Sequence, residues 1–400
     1  MSSDFDPIEY INEPRWQKVS LGLSRISRLL ELVDNPHENL KFVHVAGTNG
    51  KGSTCAFLES ILRCSGYKTG LFTSPYIETF EERIRVNGEN IDYKSLTDIT
   101  LRVRDAACQV EMELSEHPTE FELMTAVAFV YFKEQECDIC VVEVGLGGRL
   151  DSTNVITPEV SVITPISLDH VGVLGNTIAE IAHEKAGIIK PGVPAVCAKQ
   201  TDEALSVIKE AAEELLIKNM DWPFFEMKMQ GSYQQKNASL AATVATVLQD
   251  NGWNITDKAI KEGIYCATWP ARFEIFGNVI LDGAHNVDGA KVLRQCLLEY
   301  GPDKSRVAVF GVLEDKDYKG ILEHVGDLFE EFYIYQPNSP RALDLEEMES
   351  CVRAHCNKVT RCESANDALE CALTAIKKAD QLVVCFGSLY SCGELRRSLV

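Results

Sequence analysis

A lysine set among three glycines, just ahead of Ser-Thr, is a group of residues suited to holding phosphate. It occurs in FVHVAGTNGKGST, Phe42 to Thr54. Gly47, Gly50 and Gly52 allow the backbone to fold tightly and aim N–H groups inward. A helix opening near Ser53 would turn its positive end toward the same spot, and Lys51 would supply charge for β- and γ-phosphates. The loop departs from the usual G-x-x-x-x-G-K-[ST] pattern. Gly52 follows Lys51, Ser53 comes one place late, and Val45 stands where the first glycine belongs. A glycine-rich turn without a ligand is the plain alternative, but a lysine so placed at a helix start favours phosphate.

Other strand-end clusters could carry chemistry. In VVEVGLGGRLDSTN, Glu143 lies inside an apolar run, where a carboxylate is costly unless paired. It is either half of an ion pair or a Mg²⁺ ligand near the end of a parallel strand. The following Gly147-Gly148-Arg149-Leu150-Asp151 loop could face an anionic substrate. ITPISLDHVGVLG puts Asp169 and His170 just after a strand, where the histidine is structural, exposed or a ligand. Lys185, in HEKAGIIKPG, reads by itself as a surface charge on a helix. VILDGAHNVDGA ends a strand at Asp282, turns at Gly283, and offers His285 and Asn286 before a helix that Asn286 could cap. CFGSLYSCGELRR repeats that design, with Ser388 near a helix start.

These groups need strands and helices to position them. KFVHVA, KTGLF, DICVVEV, EVSVIT and PAVCA read as strands. Ser53–Ser65, Phe121–Phe132 and Asn176–Ile189 read as helices by their apolar spacing. ERIRVNGENI carries an Asn87-Gly88 hairpin signal. Alternating strands and helices imply a doubly wound, mostly parallel sheet. Two helices follow, about Asn237–Asn251 and Asp257–Cys266. TWPARFEIFGNVILDGAHN is then a turn and two strands, and a fresh βαβ series runs through RVAVFGVL, EEFYIYQ and QLVVCFGS. The expected division is 1–267 for a nucleotide-binding α/β domain and 268–400 for a smaller Rossmann-like α/β domain.

Composition narrows the function class. The chain has 400 residues, 45% hydrophobic and 25% charged, enough for full cores. A net charge of −21 argues against a nucleic-acid surface and requires local cations or Mg²⁺ wherever anions bind. There is no apolar run of about 18 residues to span a membrane, and the acidic start MSSDFDPIEY lacks a signal pattern, so a cytoplasmic protein is expected. The 14 cysteines fall mostly in apolar settings, where a reduced cysteine acts as a small hydrophobe. The Cys137/Cys140 pair and the loose set Cys351, His355, Cys356 and Cys362 lack paired zinc-finger spacing.

HVAGTNGKGS, Thr73-Ser74-Pro75, VGLGGRLDSTN, LDH, EKAGIIKPG, WPARFE, DGAHN and GSLY, in this order, resemble the folylpolyglutamate synthase/dihydrofolate synthase family of Mur ligases from about Leu21 to Arg397. The resemblance implies an N-terminal P-loop-type ATPase domain, a C-terminal glutamate-ligase domain and a site in the cleft between them. It implies ATP held by Gly47, Thr48, Asn49, Gly50, Lys51, Gly52, Ser53, Asn237, Arg272 and Asp282. It also implies Mg²⁺ held by Ser74, Glu143 and His170, and a carbamylated Lys185 beside the metal. Thr119, Phe121 and Glu122, with Leu150, Asp151 and Ser152, match pterin-side contacts, and His285 and Ser388 the glutamate end. Tyr233, Ala271 and Val287 depart from the residues common at their positions. The implied reaction activates a carboxylate as an acyl phosphate for attack by L-glutamate. The acceptor would be a tetrahydrofolate or dihydropteroate, the enzyme a monomer, and a monovalent cation a conceivable addition. A muramyl-peptide ligase and a simple P-loop NTPase are the rivals. The first fits the G-K-G-S loop poorly, and the second leaves DGAHN and GSLY without a purpose.

Overall fold

The computed structural model describes residues 5–17, 20–212, 215–216, 222–376 and 381–400. The first four residues of the acidic N-terminal segment lie outside them. Two compact units form: Met1–Tyr76, Phe80–Met227 and Lys236–Ala267 make the first, and Ile77–Thr79, Lys228–Gln235 and Thr268–Val400 the second. The change at Thr268 falls where the strand series restarts. Two short segments from earlier in the chain belong to the second unit, which a contiguous division at 268 does not foresee. Side chains explain them: Tyr233 reaches Asp282, and Arg396 binds Glu78.

In the first unit, eight strands form one sheet. They are β1 (Phe42–Ala46), β2 (Thr69–Phe72), β3 (Ile84–Val86), β4 (Glu89–Asn90), β5 (Ile139–Glu143), β6 (Val160–Ile163), β7 (Ala195–Cys197) and β8 (Leu215–Leu216), in the order β4-β3-β2-β5-β1-β6-β7-β8. From β2 to β8 neighbouring strands are parallel, and the β3–β4 hairpin adds an antiparallel edge. Asn87 and Gly88 turn that hairpin with φ of 52° and 84°, the left-handed pair such a turn needs. β1 and β5 are buried along their whole length, as strands covered on both faces must be. The helix Glu120–Glu134 packs Leu123, Met124, Val127 and Phe129 into one of these cores.

Several helix ends differ from the sequence expectation. The helix after β1 spans Lys51–Cys64 and starts at Gly50, whose φ of 90° makes it the cap. Lys51 and Gly52 therefore sit in the first turn. The expected Asn176–Ile189 helix runs only Ile178–Ala186, opened by a Thr177/Glu180 capping box. The helix bearing Asn237 begins earlier, at Tyr233.

The second unit has a six-stranded sheet of β9 (Glu274–Phe276), β10 (Val279–Leu281), β11 (Arg306–Phe310), β12 (Glu331–Ile334), β13 (Val359–Arg361) and β14 (Leu382–Phe386), ordered β13-β12-β11-β14-β10-β9. Only β9 is antiparallel, paired with β10. β13 escapes the sequence reading because Val359–Arg361 is short and largely exposed at the sheet edge.

Candidate functional site

The sheet order of the first unit gathers the functional strand ends. β1 lies between β5 and β6, with Val45 opposite Glu143 and Ala46 opposite Ile163, and β5 pairs Val142 with Phe72 of β2. The glycine loop, Glu143, Ser74 and the segment leading to His170 therefore leave the same edge, at the carboxyl ends of parallel strands. Such edges are where open α/β sheets bind ligands.

The loop is held from beneath. Gly47 has φ 144°, and a Cβ there would stand 1.8 Å from Thr164 Oγ1. The N–H groups of Thr48 and Asn49 donate to the Pro165 carbonyl at 2.9 and 3.3 Å. The Thr48 hydroxyl donates to the Ser167 carbonyl and accepts from the Ser167 N–H, both at 3.1 Å. Backbone and side chain of Thr48 thus fix the loop to the β6 side, and the helix's first turn carries the positive end toward a phosphate. A Cβ on Gly50 would stand 2.7 Å from Asn237 Oδ1, so Asn237 lies directly against the loop.

Lys51 Nζ donates to the Thr48 carbonyl at 3.3 Å and stands 3.9 Å from Glu143 Oε1. Glu143 is 4% exposed, and its Oε2 accepts the Ser74 N–H at 3.2 Å. The structure thus joins Lys51, Glu143 and Ser74. His170 has φ 51°, and its N–H donates to Asp169 Oδ1 at 2.9 Å. The residues fit a hard cation. A buried carboxylate lies next to a serine, its ammonium neighbour is too far for a hydrogen bond, and such oxygen donors are what Mg²⁺ takes.

Lys185 is not the surface charge its helix position suggests. It is 5% exposed, and its Nζ donates to the Gly47 carbonyl at 2.9 Å. Burial, reinforced by the Lys51 charge and opposed by Asp169 and Asp151, pushes it down to about 7. Loss of water disfavours a lone ammonium, so a large share of this buried amine is neutral near pH 7.

On the other side of β5, Thr119 and Glu122 form a capping box. Glu122 Oε2 accepts the Thr119 N–H at 2.7 Å and the Arg25 Nε–H at 3.1 Å, while Glu122 Oε1 is buried with no hydrogen-bond partner among the described residues. Phe121 stacks on Phe72 with centroids 5.6 Å apart, and a Cβ on Gly145 would come within 2.5 Å of its ring. Ser152 Oγ lies 2.8 Å from Thr125 Oγ1, and Leu150 is half-buried. Asp151 turns into its own loop. Its Oδ2 accepts the Leu146 N–H at 2.8 Å, and its Oδ1 accepts the Thr153 N–H at 3.0 Å.

In the second unit, Asp282 ends β10 and is buried. It accepts from the Phe273 and Ala284 N–H groups at 2.8 Å each and from the Tyr233 hydroxyl at 3.4 Å. Burial, opposed by the Arg272 charge, pushes its carboxyl up. Ala271 and Phe273 adopt φ of 55° and 50°, and a Cβ on Gly283 would stand 2.4 Å from Arg272 Nη1. His285 Nδ1 lies 2.8 Å from the Gly283 carbonyl, and Asn286 caps the helix Val287–Tyr300 as expected. Ser388 caps the helix Leu389–Arg397, and the Gly387 N–H donates to the Ala284 carbonyl at 2.9 Å. His285 and Ser388 thus leave one edge of this sheet on paired strands β10 and β14.

Sequence reasoning missed Thr164, Arg25 and Arg83. Arg83 is 7% exposed, pairs with Glu120 and has a buried Nε with no partner among the described residues. A clue was present: charges flanked by apolar residues, as in LSRISRLL and ETFEERIRV.

Residues 45–218 match the Mur ligase middle domain, and residues 271–389 the Mur ligase glutamate ligase domain. A dihydrofolate synthase/folylpolyglutamate synthase of Bacillus subtilis is 35% identical, with 95% of each chain covered. The crystal structure of Mycobacterium tuberculosis folylpolyglutamate synthase complexed with ADP and AMPPCP superposes with a TM-score of 0.90 at 30% identity, covering 98% of this chain and 99% of the other. Escherichia coli FolC in complex with DHPP and ADP gives 0.87 at 28% identity, covering 100% and 98%. With strand ends, loop and both domain matches agreeing, and relatives that cover 95% or more of it, the chain belongs to the folylpolyglutamate synthase/dihydrofolate synthase family of the Mur ligases.

Proposed function

We propose that this protein is an ATP-dependent ligase that joins L-glutamate to folates, with dihydropteroate as a second acceptor. The observation that carries the reading is the pinned glycine loop with Lys51 beside buried Glu143 and Lys185 against the Gly47 carbonyl. The family resemblance supplies the substrates. In the reaction, an acceptor carboxylate oxygen bonds to the γ-phosphorus of ATP as the bond to the β–γ bridging oxygen breaks, giving an acyl phosphate and ADP. The α-amine of glutamate then forms the C–N bond and loses a proton, and phosphate leaves.

Phosphoryl transfer depends on positioning and neutralised charge. Lys51 and the helix's first turn hold the β- and γ-phosphates, and Asn237 lies against the loop. Ser74, Glu143 and His170 would hold Mg²⁺, which when bound neutralises phosphate charge. Lys185, largely neutral at physiological pH, can attack CO₂. A new N–C bond forms, an amine proton leaves to solvent, and an anionic carbamate replaces the neutral amine under the loop. Thr119, Phe121 and Glu122 provide a stacking ring and an unpartnered carboxylate oxygen for the pterin side. In the second unit, Arg272 and Asp282 serve ATP, and His285 and Ser388 the incoming glutamate.

The test is ADP release with ATP, Mg²⁺ and L-glutamate, comparing dihydropteroate with tetrahydrofolate. Turnover with both is expected, and turnover with one alone makes the enzyme a dedicated synthase of that kind. Lys51→Ala is expected to abolish ADP release while its circular dichroism stays native. An unchanged rate would overturn the loop assignment.

A further inference from the structure

The loose set Cys351, His355, Cys356 and Cys362 does not assemble. Cys356 Sγ donates instead to the Glu330 and Lys358 carbonyls at 3.3 and 3.5 Å. A different trio does. Cys362 follows β13, and Asp367 and Cys371 lie one turn apart on the helix Ala365–Ala375. One ligand atom from each lies within 4.8 Å of the other two. The carboxylate is oriented beforehand, since its Oδ2 accepts the Glu363 N–H at 2.9 Å, while Oδ1 lies 3.7 Å from Cys371 Sγ. The helix cap Ser364 accepts the Asp367 N–H at 3.1 Å and fixes the turn between β13 and the helix.

We propose that Cys362, Asp367 and Cys371 form a binding site for a zinc-class divalent cation in the second unit, separate from the ligase chemistry. Two sulfurs and a carboxylate are a ligand set that favours zinc over Mg²⁺ or Ca²⁺. The helical i, i+4 spacing puts Asp367 and Cys371 on one face, and the partly exposed Asp367 and Cys371 give the ion a way in. Three protein ligands leave a fourth tetrahedral position for water. Binding displaces both thiol protons to solvent. Because those protons must leave, affinity rises with pH. The ion would tie the end of edge strand β13 to the helix that follows it.

The test uses the full chain, reduced and handled without oxygen. Zn²⁺ is titrated against a chromophoric chelator, and Co²⁺ is added in parallel as a spectroscopic substitute. One equivalent of tightly held zinc and a near-ultraviolet sulfur-to-cobalt band are expected. Cys371→Ser, at a half-buried helix position, should weaken zinc by more than the roughly 10- to 100-fold typical of losing a supporting partner. Cys362→Ser/Cys371→Ser should abolish the cobalt band, and Asp367→Asn should weaken zinc while keeping the band. Ligase turnover in Cys371→Ser should stay near wild type, which shows that the variant is folded. The proposal is overturned if wild type holds no zinc against the chelator. It is equally overturned if the double variant keeps the cobalt band, or if mass spectrometry of the protein as isolated finds Cys362 and Cys371 joined as a disulfide.

Discussion

Lys185 makes the most exacting prediction. Its drop from 10.5 to about 7 corresponds to about 5 kcal/mol against the charged form. At about pH 7.5 roughly three-quarters of these amines are then neutral, against about 0.1% of ordinary lysines, a gain of roughly 700-fold in the form that reacts with CO₂. The assay is carbon-13 NMR of the protein in labelled bicarbonate. One protein-bound carbamate resonance is expected near neutral pH, absent from Lys185→Arg. Lys185→Ala should lose turnover and recover part of it with a short carboxylic acid. In CO₂-free buffer the amine also sets a stability trend. Below about pH 7 folded and unfolded chains both carry the proton, and the folded chain bears the full cost of a buried charge. Between about 7 and 10.5 only the unfolded chain keeps it, so stability rises with pH across that window. Lys185→Met should therefore gain most over wild type below about pH 7, with the gap closing toward pH 10. A carbamate that forms only above about pH 9, or a gap independent of pH, would refute the argument that burial controls this amine.

Two further perturbations follow from the same geometry. Gly47→Ala combines a left-handed φ with a Cβ 1.8 Å from Thr164 Oγ1, and should cost about 2–4 kcal/mol from strain and overpacking together. Urea unfolding measures it, and Gly47→Ala/Thr164→Ala should recover part of the loss. Glu122→Ala leaves buried Arg25 with Glu116 as its remaining carboxylate, for a cost of about 3 kcal/mol. In steady-state assays it should also raise KM for the folate or pteroate acceptor while leaving KM for ATP unchanged. Equal effects on both would separate Glu122 from the acceptor side.

Much of the site was legible because it is written in contiguous residues. A strand, a glycine turn and a helix start are local conformations, so FVHVAGTNGKGST and VILDGAHN disclose their shapes without the rest of the chain. Apolar runs likewise marked the parallel strands, apart from β8, which is two residues long, and β13, whose three mostly exposed residues carry little apolar signal. Helix ends were less legible because capping decides them. Gly50, through its φ of 90°, starts its helix two residues before the expected Ser53.

The order of elements, the phosphate loop and the family resemblance can be read along the chain alone. Tertiary structure alone decided what surrounds each group. Lys185 looks like a solvated helix charge until a fold brings it to a carbonyl 138 positions away. Thr48 and Asn49 show only their place in the loop until the fold sets their N–H groups against the Pro165 carbonyl. Asp151 reads as an open loop carboxylate until the Leu146 and Thr153 N–H groups are seen to orient it. Cys362 meets Asp367 and Cys371 only because β13 hands the chain directly to the next helix. The common reason is physical. Backbone shape follows from neighbours in sequence, whereas desolvation and hydrogen-bond partnership depend on whatever distant segments the sheet order places alongside.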